Sequence, residues 1–433
     1  MRRIVACRLL GGLSVLLLAV LPGRPGGTAD VPPELDFRND GGLLRTLSTT
    51  GPIDFSGPFF QGLGTNGRAC VTCHAPSDGW SLTPATARGL FERTGGRHPL
   101  FRANDGSVSP GADVSTVPAR RAAYALLLSR GLIRIDLTPP PGAEFVVEAV
   151  DDPYGFADRT RLSLFRRPLP TTNLAFLSTV MWDGRETFDG QGLHGDLAHQ
   201  ANGAAVGHEQ AAEALTPEQQ AALVDFELSL FTAQLRDNRA GRLDEAGAGG
   251  GPQALIGQSP SIGSPPSGVF TLFGAWAGVG PPVDPRGEAR QAVAVGEDLF
   301  NNRKFGSAGL TCRTCHDTAN AGGASRVAFF DTGVAGGGVR PLDPALPVYT
   351  LRCLATNAVF RTTDPGRALV TGRCADIGAF KVPTLRGLAA RPPYFHDGSA
   401  ASLEEVVLFY DDLFKIGLRV QQKDALVAFL RAL

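Results

Sequence analysis

The chain lacks any charge excess: 41 Lys and Arg face 42 Asp and Glu across 433 residues, for a formal charge of −1. A surface that binds phosphate backbones needs a basic surplus, so no nucleic acid partner is expected. An uninterrupted membrane-length apolar run is missing near the start as well. The stretch from Leu9 to Leu21 is broken by Gly11, Gly12 and Ser14 and falls short of the roughly 20 residues that span a bilayer. Strand-like alternation is scarce, which predicts helices joined by long loops. Methionine is nearly absent, with only Met1 and Met181.

What is present begins with an export signature. Arg2 and Arg3, the apolar stretch and a Pro/Gly-rich segment ending Thr28-Ala29-Asp30 have the layout of a secretory signal over residues 1–29, cut near Ala29. An uncleaved anchor is the alternative. Cys7 lies before the apolar stretch and leaves with the signal.

The remainder is long enough, and at 43% hydrophobic and 8% aromatic apolar enough, for two cores. Composition divides it into residues 30–237, a Gly/Pro-rich linker or surface loop at 238–268, and residues 269–433. Before the loop, Thr216 and Pro217 are placed to start a helix that carries Leu223, Phe226, Leu230 and Phe231 on one face. After it, Ser402 and Glu405 suit a capping box for a helix with Leu403, Val406 and Tyr410 on one face. A short amphipathic helix over residues 420–433 would close the chain.

One pattern occurs twice. Cys70-Val71-Thr72-Cys73-His74 and Cys312-Arg313-Thr314-Cys315-His316 are both C-x-x-C-H, the pattern of covalent haem attachment. Two cysteines about one turn apart can bond both vinyl groups of a haem, and the adjoining histidine is then held beneath the iron. A shared zinc site is the competing reading, but structural zinc pairs lie about 12–20 residues apart, and these are far separated. Thioredoxin-like chemistry needs a βαβ context that neither site has. Gly62-Leu63-Gly64-Thr65-Asn66-Gly67 matches G-x-G-x-x-G, yet no strand precedes it, so it reads as a loop and not a dinucleotide site. Cys353 and Cys374 have no partner at ligand spacing, and an oxidising compartment favours a disulfide between them.

Further segments carry a resemblance. Lys381-Val382-Pro383-Thr384-Leu385-Arg386-Gly387, Pro393-Tyr394-Phe395-His396-Asp397-Gly398-Ser399 and the run from Leu403 to Tyr410 resemble the C-terminal haem domain of bacterial dihaem cytochrome c peroxidases and their MauG relatives. Met181-Trp182-Asp183-Gly184-Arg185 is similar to an element of their N-terminal domain. The resemblance is looser from Ser77 to Leu164.

It implies a mainly α fold of two cytochrome c-like haem domains with long loops. His74 would carry a peroxidatic haem and His316 an electron-transfer haem, with Trp182 as relay between them. Moving a proton between the two peroxide oxygens calls for an acid/base group. Gln200 fits the family's glutamine. The acid falls at His208, with Glu209 second, and either could instead be a solvated helix-end residue.

A high-potential second haem would use methionine as its other ligand, and Met181 belongs to the first region. Tyr410 stands at that position, as in MauG-like members, and a phenolate would lower the potential. A buried tyrosine with a satisfied hydroxyl is the alternative. The histidine that caps the first haem in related proteins has only His98 as a candidate, in unmatched surroundings. Arg167 replaces an asparagine expected at the family's calcium site, which puts calcium in doubt.

The expected function is a periplasmic peroxidase of the cytochrome-c peroxidase type. It would carry two covalent haem c groups, take hydrogen peroxide as substrate and receive electrons from a small cytochrome c or cupredoxin. Family members are often dimers, so a homodimer is possible. A MauG-like oxidase of a protein or organic substrate, and a non-catalytic electron carrier, are the alternatives.

Overall fold

A computed structural model describes residues 33–258, 268–278, 284–336 and 338–433. The signal expected at 1–29 lies outside the described residues, as does part of the 238–268 stretch. Among the described residues no helix is long and apolar enough to cross a membrane.

The strands are β1 (Glu34–Asn39), β2 (Gly42–Ser48), β3 (Ile133–Leu137), β4 (Phe145–Asp151), β5 (Leu162–Arg166), β6 (Leu230–Asp237), β7 (Gly241–Arg242), β8 (Phe329–Asp331), β9 (Val348–Cys353), β10 (Val359–Thr362) and β11 (Ala379–Lys381). The helices are α1 (Pro84–Thr94), α2 (Val117–Ala123), α3 (Ala125–Arg130), α4 (Gly192–Gly207), α5 (Pro217–Ser229), α6 (Gln253–Ile256), α7 (Pro285–Asn302), α8 (Ala368–Thr371), α9 (Leu403–Phe414) and α10 (Val420–Arg431).

The expectation of a mainly α fold is overturned. Helix accounts for 33% and strand for 17%, in four sheets, so the fold is mixed α/β, and two cytochrome c-like haem domains are not shown. The strands escape a periodicity search for two reasons. Many are short, and their exposed positions carry charges that pair across the sheet: Arg45 on β2 binds Glu34 and Asp36 on β1. Most partners are also remote in sequence, as in the sheets ordered β1-β2-β6-β7 and β10-β9-β4. The pairing of β4 with β9 joins residues from both sides of the 238–268 stretch. Within that stretch Ala240, Leu243 and Leu255 are fully buried, so this part is packed.

The anticipated helix starts are present. Thr216 accepts from Gln219 N and Gln219 Oε1 accepts from Thr216 N, a reciprocal cap. Ser402 Oγ accepts from Glu405 N, but the Glu405 carboxylate accepts from Ala401 N instead of Ser402 N, so only half of the expected box forms. Leu230 and Phe231, expected on the helix face, instead open β6, because Leu230 turns extended at φ −92°, ψ 127°. In the C-terminal core, α7 crosses α10 so closely that a Cβ at Gly296 would lie 2.0 Å from the Ala425 carbonyl oxygen. Cys353 and Cys374 are joined by a disulfide that ties the end of β9 to the turn after α8.

A buried ion triad links distant segments. Arg166 on β5 donates to Asp183 Oδ2 at 2.6 Å and to both carboxylate oxygens of Asp364 at 2.6 and 2.9 Å. Burial alone would raise the Asp183 pKa, but Arg166 and Arg185 outweigh it and hold it down to about 2. The folded value lies below the ordinary 3.8, so this stabilisation is complete above about pH 4 and fades as pH falls towards 2. Removing Arg166 strands the buried Asp364 carboxylate. Arg166→Met is therefore expected to cost about 3–5 kcal/mol in denaturant unfolding, and an unshifted midpoint would count against this role.

Candidate functional site: two cavities with a shared wall

Both C-x-x-C-H segments fold in the same way. Cys70–Thr72 and Cys312–Thr314 each form one 3₁₀ turn. His74 N donates to Cys70 O at 3.0 Å, and His316 N to Cys312 O at 3.2 Å. The threonine in each motif fastens the turn: Thr72 Oγ1 accepts from Ala69 N at 3.0 Å, and Thr314 Oγ1 from Thr311 N at 2.9 Å. Each turn thus sets two thiols and an imidazole beside a cavity.

The imidazoles are held in one tautomer. His74 Nδ1 lies 3.2 Å from the Trp80 carbonyl oxygen and His316 Nδ1 lies 2.6 Å from that of Gly322. A carbonyl only accepts, so Nδ1 carries the proton and Nε2 keeps its lone pair for a metal. Burial keeps His74 neutral, lowering its pKa to about 4. Burial also pushes the Cys73 thiol up to about 11 and Cys312 up to about 12. Thioredoxin-type chemistry needs the opposite shift. Among the described residues, no group of three or more His, Cys, Asp or Glu could hold a metal ion, so the zinc reading finds no site.

The first cavity is lined by Cys70, Cys73 and His74, and also by Trp182, Gln200, His208 and Glu209. Residues spread over some 140 positions are thereby brought together. The connection is made by the 62–67 loop. Asn66 Nδ2 donates to His208 O at 2.8 Å, and Leu63 N donates to Glu209 Oε2 at 2.9 Å. A Cβ at Gly64 would lie 1.9 Å from Glu209 O, so the loop clamps the end of α4 where a dinucleotide loop would cradle phosphate. His98 does not line this cavity; its Nδ1 accepts from Leu100 N.

Cys312, Cys315, His316 and Tyr410 line the second cavity with a mostly apolar and aromatic surround. Tyr410 comes from the α9 face that also supplies Leu403 and Val406. Burial raises its pKa, and among the described residues its hydroxyl has no hydrogen-bond partner in the protein. Met181 lines the first cavity and not the second. The long, largely apolar lining of each cavity suits a large planar group better than a lone ion.

The wall between the cavities is chemically incomplete. Trp182, Arg167 and Lys381 line both. Trp182 Nε1 donates to Arg167 O at 2.8 Å, and Lys381 N to Trp182 O at 2.9 Å. Arg167 and Lys381 are each only 5% exposed, and their side chains reach only backbone carbonyls: Leu82 and Arg391 for Arg167, Thr179 for Lys381. Arg167 Nε has no partner, nor has the buried Nε of Arg391, which lines the second cavity. Burial lowers Arg167 to about 9 and Lys381 to about 7. Buried cations without an anion are costly, and the carboxylates of a porphyrin are anions of the right kind. The residues present fit haem c in both cavities.

Several of these groups were not foreseen. Lys381 sits inside a segment already quoted, without an assigned role. Arg167 was noted only for the asparagine it replaces. Glu227, which lines the first cavity and is pushed up to about 8 by burial, looks in sequence like any polar helix residue. Asp105 binds His208 from 103 positions away, a link no local pattern reveals.

No family model matches the chain. Over 102 residues it is 37% identical to a cytochrome-c peroxidase of Denitromonas iodatirespirans, covering 21% of this chain and 28% of that one. Over 80 residues it is 46% identical to the cytochrome c551 peroxidase of Nitrosomonas europaea, covering 17% and 23% respectively. The chain thus spans about a quarter of the length of the curated relatives it matches. A solved MauG-like protein associated with microbial copper homeostasis aligns at 17% identity over 62% of this chain and 75% of that one, with a TM-score of 0.34. That score is too low to carry an argument, and the relationship rests on the sequence matches. By those matches, segments of the chain are similar to bacterial cytochrome c peroxidases.

Proposed function

We propose that this protein is a periplasmic dihaem c-type peroxidase that reduces hydrogen peroxide, with two electrons and two protons, to two waters. Cys70, Cys73 and His74 would hold one haem and Cys312, Cys315 and His316 the other. Bound there, haem c supplies the iron through which electrons pass. The observation that carries this reading is the duplicated turn. Two C-x-x-C-H segments of one geometry each open on their own cavity, and the two cavities share a wall containing Trp182.

The unequal chemistry of the cavities supports a division of labour. The first has Gln200, His208, Glu209 and Glu227 at its surface, groups able to orient peroxide and to hold or move its protons. The second offers Tyr410 amid aromatic and aliphatic side chains, which suits electron entry from a small cytochrome c or cupredoxin. Trp182, anchored through its indole N–H and its carbonyl, is the relay across the wall. Arg167 and Lys381 would meet the negative edges of both cofactors and hold them in register.

Tyr410, which lines the second cavity together with His316, favours a second reading, in which the chain is a MauG-like oxidase that withdraws electrons from a protein or organic substrate. Mixing the ferric and the half-reduced holoprotein with peroxide separates the two. Oxidation of an added reduced donor at a steady rate supports the peroxidase. A spectral change without donor oxidation supports the oxidase. No reaction from either state removes both.

Tyr410→Phe should raise the potential of the second haem and leave the first unchanged; an unchanged second-haem spectrum and potential would show that Tyr410 is not its ligand. Trp182→Phe should keep both haems bound while slowing peroxide-driven oxidation of the second, whereas wild-type rates would remove Trp182 from the path.

A further inference from the structure

The end of α4 presents two ionisable side chains to the first cavity, and the structure treats them differently. Glu209 is 4% exposed, with one carboxylate oxygen on Leu63 N and the other 3.5 Å from Cys70 Sγ. His208 faces outward as well as inward, its side chain 38% exposed. Its Nδ1 lies 2.6 Å from Asp105 Oδ2. Asp105 is buried and paired through its other oxygen with Arg68, itself 1% exposed. Arg68 is fixed in turn by Pro99 O at 3.0 Å, Leu100 O at 2.9 Å and His208 O at 3.1 Å.

We infer that Asp105, backed by Arg68, is a positioning residue that holds His208 as the proton-exchanging group of the first cavity. This deepens the peroxidase reading and rests on it. An ionised carboxylate accepts only, so it fixes the proton on Nδ1 and leaves Nε2 to the cavity that His208 lines. The same carboxylate stabilises the imidazolium whenever Nε2 takes a proton. Arg68 and His208 together overcome burial and keep Asp105 ionised. Partial exposure gives the imidazole a route to bulk water, which the enclosed Glu209 lacks. Glu209 instead works as the latch that seats the 62–67 loop against α4. The charged or titratable groups facing His208 are Asp105, Arg68, Glu209 and His74.

Fluoride affinity of the ferric holoprotein, read by absorbance, tests the dyad without turnover. A bound anion should draw one proton onto His208, so wild-type affinity should fall by up to about tenfold per pH unit as protons become scarce. In His208→Gln that dependence should vanish, and in Asp105→Asn it should weaken. In parallel, the rate constant of the half-reduced protein with peroxide should drop about 10²–10⁴-fold in His208→Gln and roughly 10- to 100-fold in Asp105→Asn. If Asp105→Asn fails to fold, Asp105→Glu, which keeps the carboxylate but displaces it, takes its place, and an Asp105 variant with wild-type fluoride binding and peroxide rate overturns the inference.

Proton linkage lost in His208→Gln in a protein that never reacts with peroxide would support the dyad and remove the peroxidase reading. Fluoride binding with the same pH dependence in wild type and His208→Gln, or no fluoride binding at any pH, overturns the inference. So does a dependence abolished by Glu209→Gln but kept in His208→Gln.

Discussion

The two cavities share a wall of buried basic side chains. Arg167 and Lys381 are buried and reach only carbonyl oxygens, and Arg391 adds a guanidinium whose Nε has no partner. Elsewhere the fold pairs some buried charges, as with Arg166 against Asp183 and Asp364, yet leaves the buried Arg386 guanidinium with only the Gly251 carbonyl oxygen. An unanswered buried cation is costly, and burial already lowers the Lys381 pKa to about 7. On the proposed reading, carboxylate-bearing ligands on each side would offset that cost, and chain folding and cofactor loading would be coupled. A ligand that binds only the folded chain adds its binding free energy to stability.

That wall also explains why the two cavities are alike in attachment and unlike in surroundings. The repeated turn, with its internal threonine and its imidazole anchored on a carbonyl six residues further on, is set by one short continuous stretch of chain. The surroundings are supplied by tertiary structure. The 62–67 loop, α4 and α5 bring acids, an amide and an imidazole to the first cavity, whereas α7, α9 and α10 bring aromatic and aliphatic groups to the second. One polypeptide can in this way give two similar metal environments separate duties, with Trp182 seated between them.

The pairing of thiols and imidazole in the two C-x-x-C-H turns was legible in the sequence because it is local. So were the caps at Thr216 and Ser402 and the helical face carrying Tyr410, since each depends on residues within a turn or two. The fold class was not legible. Strands such as β4 and β9 become recognisable only once they pair across some 200 positions, and charged residues such as Arg45 mask the alternation that would announce a strand. The supporting residues of the site were hidden for the same reason. Asp105 and Arg68 acquire meaning from His208, and Gly64 from Glu209, through contacts that no spacing rule encodes. A G-x-G-x-x-G pattern turned out to clamp a helix end, which shows how little a glycine spacing says without the strand and helix that would give it a phosphate to hold.

The account stands on covalent attachment of two haems through Cys70, Cys73, Cys312 and Cys315. Intact mass of the purified, denatured mature protein measures this most directly, repeated on Cys312→Ala/Cys315→Ala. Two haem masses above the polypeptide in the wild type, falling to one in the variant, is the predicted result. A wild-type mass equal to that of the bare polypeptide would contradict it.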